Sequence, residues 1–143
     1  MIPSDTVKLD LPARPEYLPV AAACVTQIIV LAHHMPHLET LAYDIQLAVQ
    51  EACANIVDHA YGRSGEGRIE MTVRLTLRPA QLVVELYDTG EWFDIDNIPA
   101  PSNKWRGRGL GLIRRTMDEV EYERQVGGNR WRLVKNLERP PGS

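Results

Sequence analysis

Cysteine is scarce and its spacing carries no signature. The two thiols, Cys24 and Cys53, stand in helix-like stretches at no metal or redox spacing, which reads as buried free thiols in a reducing compartment. Positive charge is also short. Sixteen Lys and Arg face 19 Asp and Glu, the formal charge is −3 and the pI is near 5.8, so general nucleic-acid binding has no electrostatic support. No apolar run approaches the ~20 residues of a membrane span, because Thr26 and Gln27 interrupt Val20–Ala32. The opening Met1-Ile-Pro-Ser-Asp lacks the charged and apolar regions of a secretion signal. These absences predict a cytoplasmic protein with neither membrane nor nucleic-acid partner. What is present is a globular balance, 44% hydrophobic and 24% charged over 143 residues, which excludes a largely disordered chain. That length fits a single domain over 1–143, with 139–143 a frayed tail.

Periodicity supplies the elements. Asp5–Leu11 alternates as a strand ended by Pro12. Pro15 suits the first turn of a helix running to about Met35, with Leu18, Ala22, Val25, Ile29 and Ala32 on one stripe and Pro36 as its stop. A second helix is expected over Glu39–Tyr61, closed by Gly62 and the turn Ser64-Gly65-Glu66-Gly67. Arg68–Arg78 and Gln81–Asp88 read as a hairpin with one apolar face. Glu91–Arg108 has no period and two prolines, Pro99 and Pro101, and is long enough to be a functional lid. Gly109–Met117 then reads as a short helix, and Val120–Gln125 and Trp131–Leu137 as strands about the turn Gly127-Gly128. The order β-α-α-β-β-loop-α-β-β predicts an α+β two-layer sandwich, helices on one face of a mostly antiparallel sheet.

Three constellations could carry chemistry. Glu51, Asn55 and His59 recur every fourth residue of the second helix, with Asp58 beside them. Such a stripe is either a solvated face or, since Asn55 is a weak helix former with no cap to make, a base next to a Mg²⁺ ligand. Asp88-Thr89-Gly90 closes a strand. It is either a plain turn or an acceptor for an exocyclic amine, with a glycine that admits a flat ring. Gly107-Arg108-Gly109-Leu110-Gly111-Leu112 opens a helix after the irregular stretch. It is either a linker or a set of backbone amides for a polyphosphate, and it fits neither a Walker A motif nor a Rossmann turn. His33, His34 and His37 lack a completing carboxylate or thiol and read as surface histidines at a helix end. Of Trp92, Trp105 and Trp131, the first two fall in or beside the irregular stretch, where they are either partner contacts or buried anchors.

In combination and in this order, the stretches Leu47–Tyr61, Tyr87–Asp94, Gly107–Val120 and Gly128–Lys135 resemble the ATP-binding (Bergerat) fold of the GHKL superfamily of gyrase, heat-shock chaperone, histidine kinase and MutL. More narrowly, they resemble the stand-alone anti-sigma-factor serine kinases of bacterial partner-switching systems. The resemblance runs from about Val7 to Leu137. It implies Glu51 as general base, Asn55 as Mg²⁺ ligand, Asp88 as acceptor of the adenine amine and Gly90 as the residue under the base. It further implies Gly107, Arg108, Gly109, Leu110 and Gly111 around the phosphates, and Asn129 in a third nucleotide-contacting patch. Two departures stand out: Trp92 where a second glycine is frequent, and Arg108 where smaller residues occur.

The activity implied is transfer of the γ-phosphate of Mg-ATP to a Ser or Thr of a small anti-anti-sigma (STAS-type) antagonist. Released from that antagonist, the kinase would hold a sigma factor or another target. The family also allows a homodimer. In 143 residues no sensor, histidine-bearing or transducer domain is expected. The alternative is a non-enzymatic binding module of the same fold.

Overall fold

The structure, a computed structural model, describes residues 5–32, 35–92 and 109–138. Among them, five strands form one antiparallel sheet in the order β1-β2-β3-β5-β4: β1 (Asp5–Pro12), β2 (Arg68–Leu77), β3 (Ala80–Asp88), β4 (Glu119–Gln125) and β5 (Gly128–Asn136). Helices α1 (Leu18–Ile29), α2 (Leu38–Asn55) and α3 (Gly109–Thr116) pack as a second layer, α2 touching both of the others. This is the expected α+β sandwich.

Alternation in the strands decides which face is covered. Ile69, Met71, Val73 and Leu75 of β2 are buried, as are Leu82, Val84 and Leu86 of β3 and Trp131 and Leu133 of β5. The register lines these residues up in rows across the sheet. Leu9, Met71, Leu86, Trp131 and Tyr122 are successive cross-strand partners, and so are Val7, Val73, Val84, Leu133 and Val120. The helices meet these rows with Leu41, Ile45, Ala48, Val49, Ala52 and Ile56 from the α2 region and Ala21, Val25 and Ile29 from α1. The opposite face is mostly polar, with Val83 and Val134 a buried apolar pair on it, and Arg130 bridges Glu85 at 2.9 Å and Glu123 at 3.5 Å.

Both long helices differ from the expected unbroken runs. The first begins as a 3₁₀ turn at Pro15–Tyr17 and ends as another at Val30–Ala32. Proline at an N-terminal position suits a tight first turn, and Pro36 denies the helix further length. Pro15–Ala32 has a mean hydropathy of 1.5 over 18 residues, enough by length and composition for a membrane span, a property its interrupted apolar run had hidden. In the fold its Ala21, Ala22, Val25, Ile28, Ile29 and Ala32 belong to the core. The second helix gives way at Asn55 to a wider π turn, Ile56–Ala60, closed by Tyr61 N–H donating to Ile56 O at 3.1 Å. Such widening is common where a helix carries function. Cys53 is buried and its thiol is pushed up to about 12, as the free-thiol reading expects; Cys24 is only half-buried. His33, His34, Trp105 and the tail 139–143 lie outside the described residues.

Trp131 is fully enclosed between the sheet row and the helices, so its truncation leaves a cavity that the rigid rows cannot close. Trp131→Ala is expected to cost about 3–5 kcal/mol, read as a lower urea midpoint at unchanged slope.

Candidate functional site

The site forms where the C-terminal end of the α2 region meets the end of β3. Gly90 lies so close to that helix end that a Cβ on it would sit 2.4 Å from Ala60 O, and Glu91 N–H donates to Ala60 O at 2.8 Å. Only glycine permits this approach, so the glycine of the Asp-x-Gly turn is demanded by the helix packed against it. Tyr61 secures the same junction. Its hydroxyl donates to Arg68 O at 2.7 Å and accepts from Thr89 N–H at 2.9 Å. Gly67, at φ +94, leaves room for that ring, which a Cβ would meet at 2.4 Å.

Asp88 is the last residue of β3 and is 6% exposed. Its Oδ1 accepts from Gly90 N–H at 2.9 Å and from Asn129 Nδ2 at 2.8 Å. Its Oδ2 is buried and, among the described residues, has no hydrogen-bond partner. Burial pushes this carboxyl above the ordinary aspartate range, and the donors from Asn129 and Gly90 pull it part of the way back. A buried carboxylate oxygen with an unspent lone pair is an acceptor held ready for a donor from outside the protein.

Asn129 is the cross-strand partner of Asp88 and is 0% exposed. Its Nδ2 also donates to Glu91 O at 2.8 Å, while its Oδ1 accepts from the Tyr122 hydroxyl. Strand β5 starts at Gly128, three residues earlier than the alternation indicated, and this extension brings Asn129 opposite Asp88. Gly127 makes it possible by turning the chain at φ +81. Gly128 then passes so near β3 that a Cβ would lie 1.9 Å from Asp88 O.

The polar residues of α2 separate by depth. Asn55 is 7% exposed and its Nδ2 has no partner among the described residues, while Glu51, one turn earlier, is half-buried. The reading of this stripe as a solvated face fails for Asn55, which packs inward beside Ala52 and Ile56 in the buried surface of the helix. Asp58 turns to Arg63 at 3.2 Å, beyond the wider turn. Gly109, Leu110 and Gly111 form the first turn of α3, and an added Cβ at Gly111 meets nothing within 4 Å. Gly107, Arg108 and most of the irregular stretch, residues 93–108, lie outside the described residues. Trp92 is 56% exposed, with Nε1 donating to Gln125 O at 2.8 Å and Arg124 over its ring at 5.8 Å. A cleft of about 690 Å³ opens at this rim beside Tyr61, Thr89, Gly90, Trp92 and Gly128. Glu51, Asn55 and Asp88 do not line it, so the unpartnered polar atoms mark the site better than the cavity does.

The profile of the histidine kinase-like ATPase domain family matches residues 11–135. The chain belongs to that family. Relatives of this ATPase domain include the serine-protein kinase RsbW of Halalkalibacterium halodurans, 31% identical, with 86% of this chain and 78% of the relative covered. The serine-protein kinase RsbW of Bacillus subtilis is 28% identical, with 87% and 81% covered. Among solved structures, the RsbU and RsbW domains of a Mycobacterium tuberculosis protein superpose with a TM-score of 0.69 at 20% identity over 96% of this chain, which spans about a third (34%) of that longer chain. The SiaB–SiaC complex of Pseudomonas aeruginosa gives a TM-score of 0.62 at 18% identity, with 90% and 88% covered. At those identities the structures establish the shared ATPase fold.

Sequence reasoning missed Tyr61, Tyr122 and Gly128. Tyrosines carry no motif, and Gly128 opens a stretch of the resemblance with no role of its own beyond the turn. Gly128→Ala is expected to drive β5 off Asp88 and lower the thermal midpoint by more than about 5 °C, whereas Gly111→Ala, in open space on a helix, is expected to hold or raise it. Asp88 supplies a pH signature. A carboxyl whose pKa is raised by folding favours the fold when protonated; that contribution is whole below the unfolded pKa and lost as pH rises through the folded one. Asp88→Asn is therefore expected to raise the thermal midpoint at pH 7, the gain vanishing toward about pH 4. A gain that is independent of pH would contradict this.

Proposed function

We propose that this chain is a cytoplasmic, Mg-ATP-dependent protein-serine/threonine kinase that regulates by switching partners. Its substrate is a Ser or Thr hydroxyl of a small anti-anti-sigma (STAS-type) antagonist, and its other partner is a sigma factor or comparable regulatory target. One observation carries the reading: a buried Asp88 keeps Oδ2 without a partner among the described residues, at a turn packed on Ala60 just past the helix that bears Glu51 and Asn55. The relatives named serine-protein kinase support the phosphoryl transfer, and the neighbour solved as a two-protein complex supports a protein partner. A homodimer is part of the proposal through the family resemblance.

The chemistry divides among the residues. Asp88 Oδ2 accepts the adenine N6 amine and refuses guanine, which offers a carbonyl at that position. Gly90 keeps the backbone beside the base free of a side chain, and Asn129 braces Asp88 from behind. Amides of the Gly107–Gly111 stretch, with Arg108 and Leu110, surround the phosphates at the start of α3. Asn55 suits Mg²⁺ through its side-chain oxygen, since the amide is buried one helical turn from Glu51 and the ion takes oxygen ligands. When bound, the ion would neutralise phosphate charge. Glu51 takes the proton of the attacking hydroxyl as the oxygen bonds to the γ-phosphorus; the bond to the bridging oxygen breaks, and ADP leaves.

The test is incubation with γ-labelled ATP and the candidate antagonist. Glu51→Gln is expected to keep ATP affinity and lower phosphorylation by about 100-fold or more. Asn55→Ala is expected to lose the Mg-dependent part of nucleotide binding. Undiminished transfer by Glu51→Gln removes Glu51 as the base, and no transfer by the unaltered protein leaves a binding module.

A further inference from the structure

The Asn129 amide has its hydrogen-bonding groups assigned in one orientation. Both Nδ2 protons are spent on oxygens, Asp88 Oδ1 and Glu91 O, each at 2.8 Å, and Oδ1 receives the Tyr122 hydroxyl. Turned by 180°, the amide would set its oxygen against a carboxylate and a carbonyl, and its nitrogen against a phenol. The two acceptors fix which end carries the nitrogen, and the hydroxyl of Tyr122 holds the Oδ1 end from the far side. Tyr122 is itself fixed, with its ring 5.2 Å from that of the buried Trp131.

We propose that Tyr122 is a positioning residue for nucleotide specificity: its hydroxyl sets the Asn129 amide, which holds Asp88 Oδ1 and so presents Oδ2 to the exocyclic amine of adenine. The inference rests on the adenine reading of Asp88 and adds a residue one strand removed from the ligand. The same amide grips Glu91 O, so the hydroxyl also steadies the backbone leaving the Asp-x-Gly turn. Without the hydroxyl, the buried Asn129 Oδ1 loses its donor and the amide is held from one side only. The amide can then shift off Asp88 Oδ1, and the carboxylate is no longer held for the base.

The test uses the full chain, titrated calorimetrically with Mg-ATP and Mg-ITP, which carries a carbonyl in place of the amine. The unaltered protein is expected to prefer ATP by about 100-fold or more. Tyr122→Phe keeps the ring against Trp131 and is expected to weaken ATP about 10-fold and ITP less than about 2-fold, so that the preference falls by about 5-fold or more. Asn129→Leu, close in size and without polar atoms, is expected to move the preference in the same direction. It checks the Asn129–Asp88 link alone; a Tyr122→Phe variant that unfolds marks the hydroxyl as a structural brace. A fall in ATP and ITP affinity together, or an unchanged preference in a folded variant, marks the hydroxyl as a structural brace and overturns the proposal. No preference in the unaltered protein overturns the adenine reading itself, and the role of Tyr122 with it.

Discussion

A carboxylate shut away from water with one oxygen unused is the constraint on which the rest of this structure turns. Desolvation penalises the ionised Asp88, and two donors to Oδ1 offset only part of that cost. Close packing keeps the arrangement in place. Gly128 lets β5 run flush against Asp88, Gly90 lets the helix end press on the turn, and Tyr61 ties the turn to the start of β2. Each contact tolerates no extra methyl or needs one particular hydroxyl, so the geometry around Asp88 is specified from three sides.

The remainder of the fold supplies rigidity to that rim. The two apolar rows cross the whole sheet in register, and the helices close over them, so β3 and β5 cannot slide without exposing every buried side chain at once. Lys135, buried in β5, donates to Thr116 O at the end of α3 and lies 3.9 Å from Asp44 of α2. The helix after the glycine-rich stretch is thereby anchored to the strand that carries Asn129. A rigid sheet with its polar donors and acceptors collected at one end is what positioning a nucleotide requires.

The sheet, its helices and their order were legible because strand alternation and helical stripes repeat over many residues, as in Ile69 to Leu75. Boundaries were less so. The π turn at Ile56–Ala60 depends on a backbone hydrogen-bond choice that leaves no composition signal, and the early start of β5 depends on a turn at Gly127 that also suits a looser one. Glu51, Asn55, Asp88 and Gly90 could be singled out by spacing and by the resemblance. That Asn55 points inward, and that Asn129 is wholly committed to Asp88, Glu91 and Tyr122, follows from three-dimensional packing alone. Tyr122 and Gly128 act through partners distant in the chain, where no local pattern reports them.

Among the described residues Asp88 Oδ2 has no partner, and in the proposed function adenine completes it. The most direct measurement is a crystal structure of the chain with Mg²⁺ and a non-hydrolysable ATP analogue. The adenine N6 is expected at ordinary hydrogen-bond distance, about 2.7–3.2 Å, from Asp88 Oδ2, with Oδ1 still on Gly90 and Asn129. A nucleotide bound elsewhere, with Oδ2 still buried and without a donor, would contradict it.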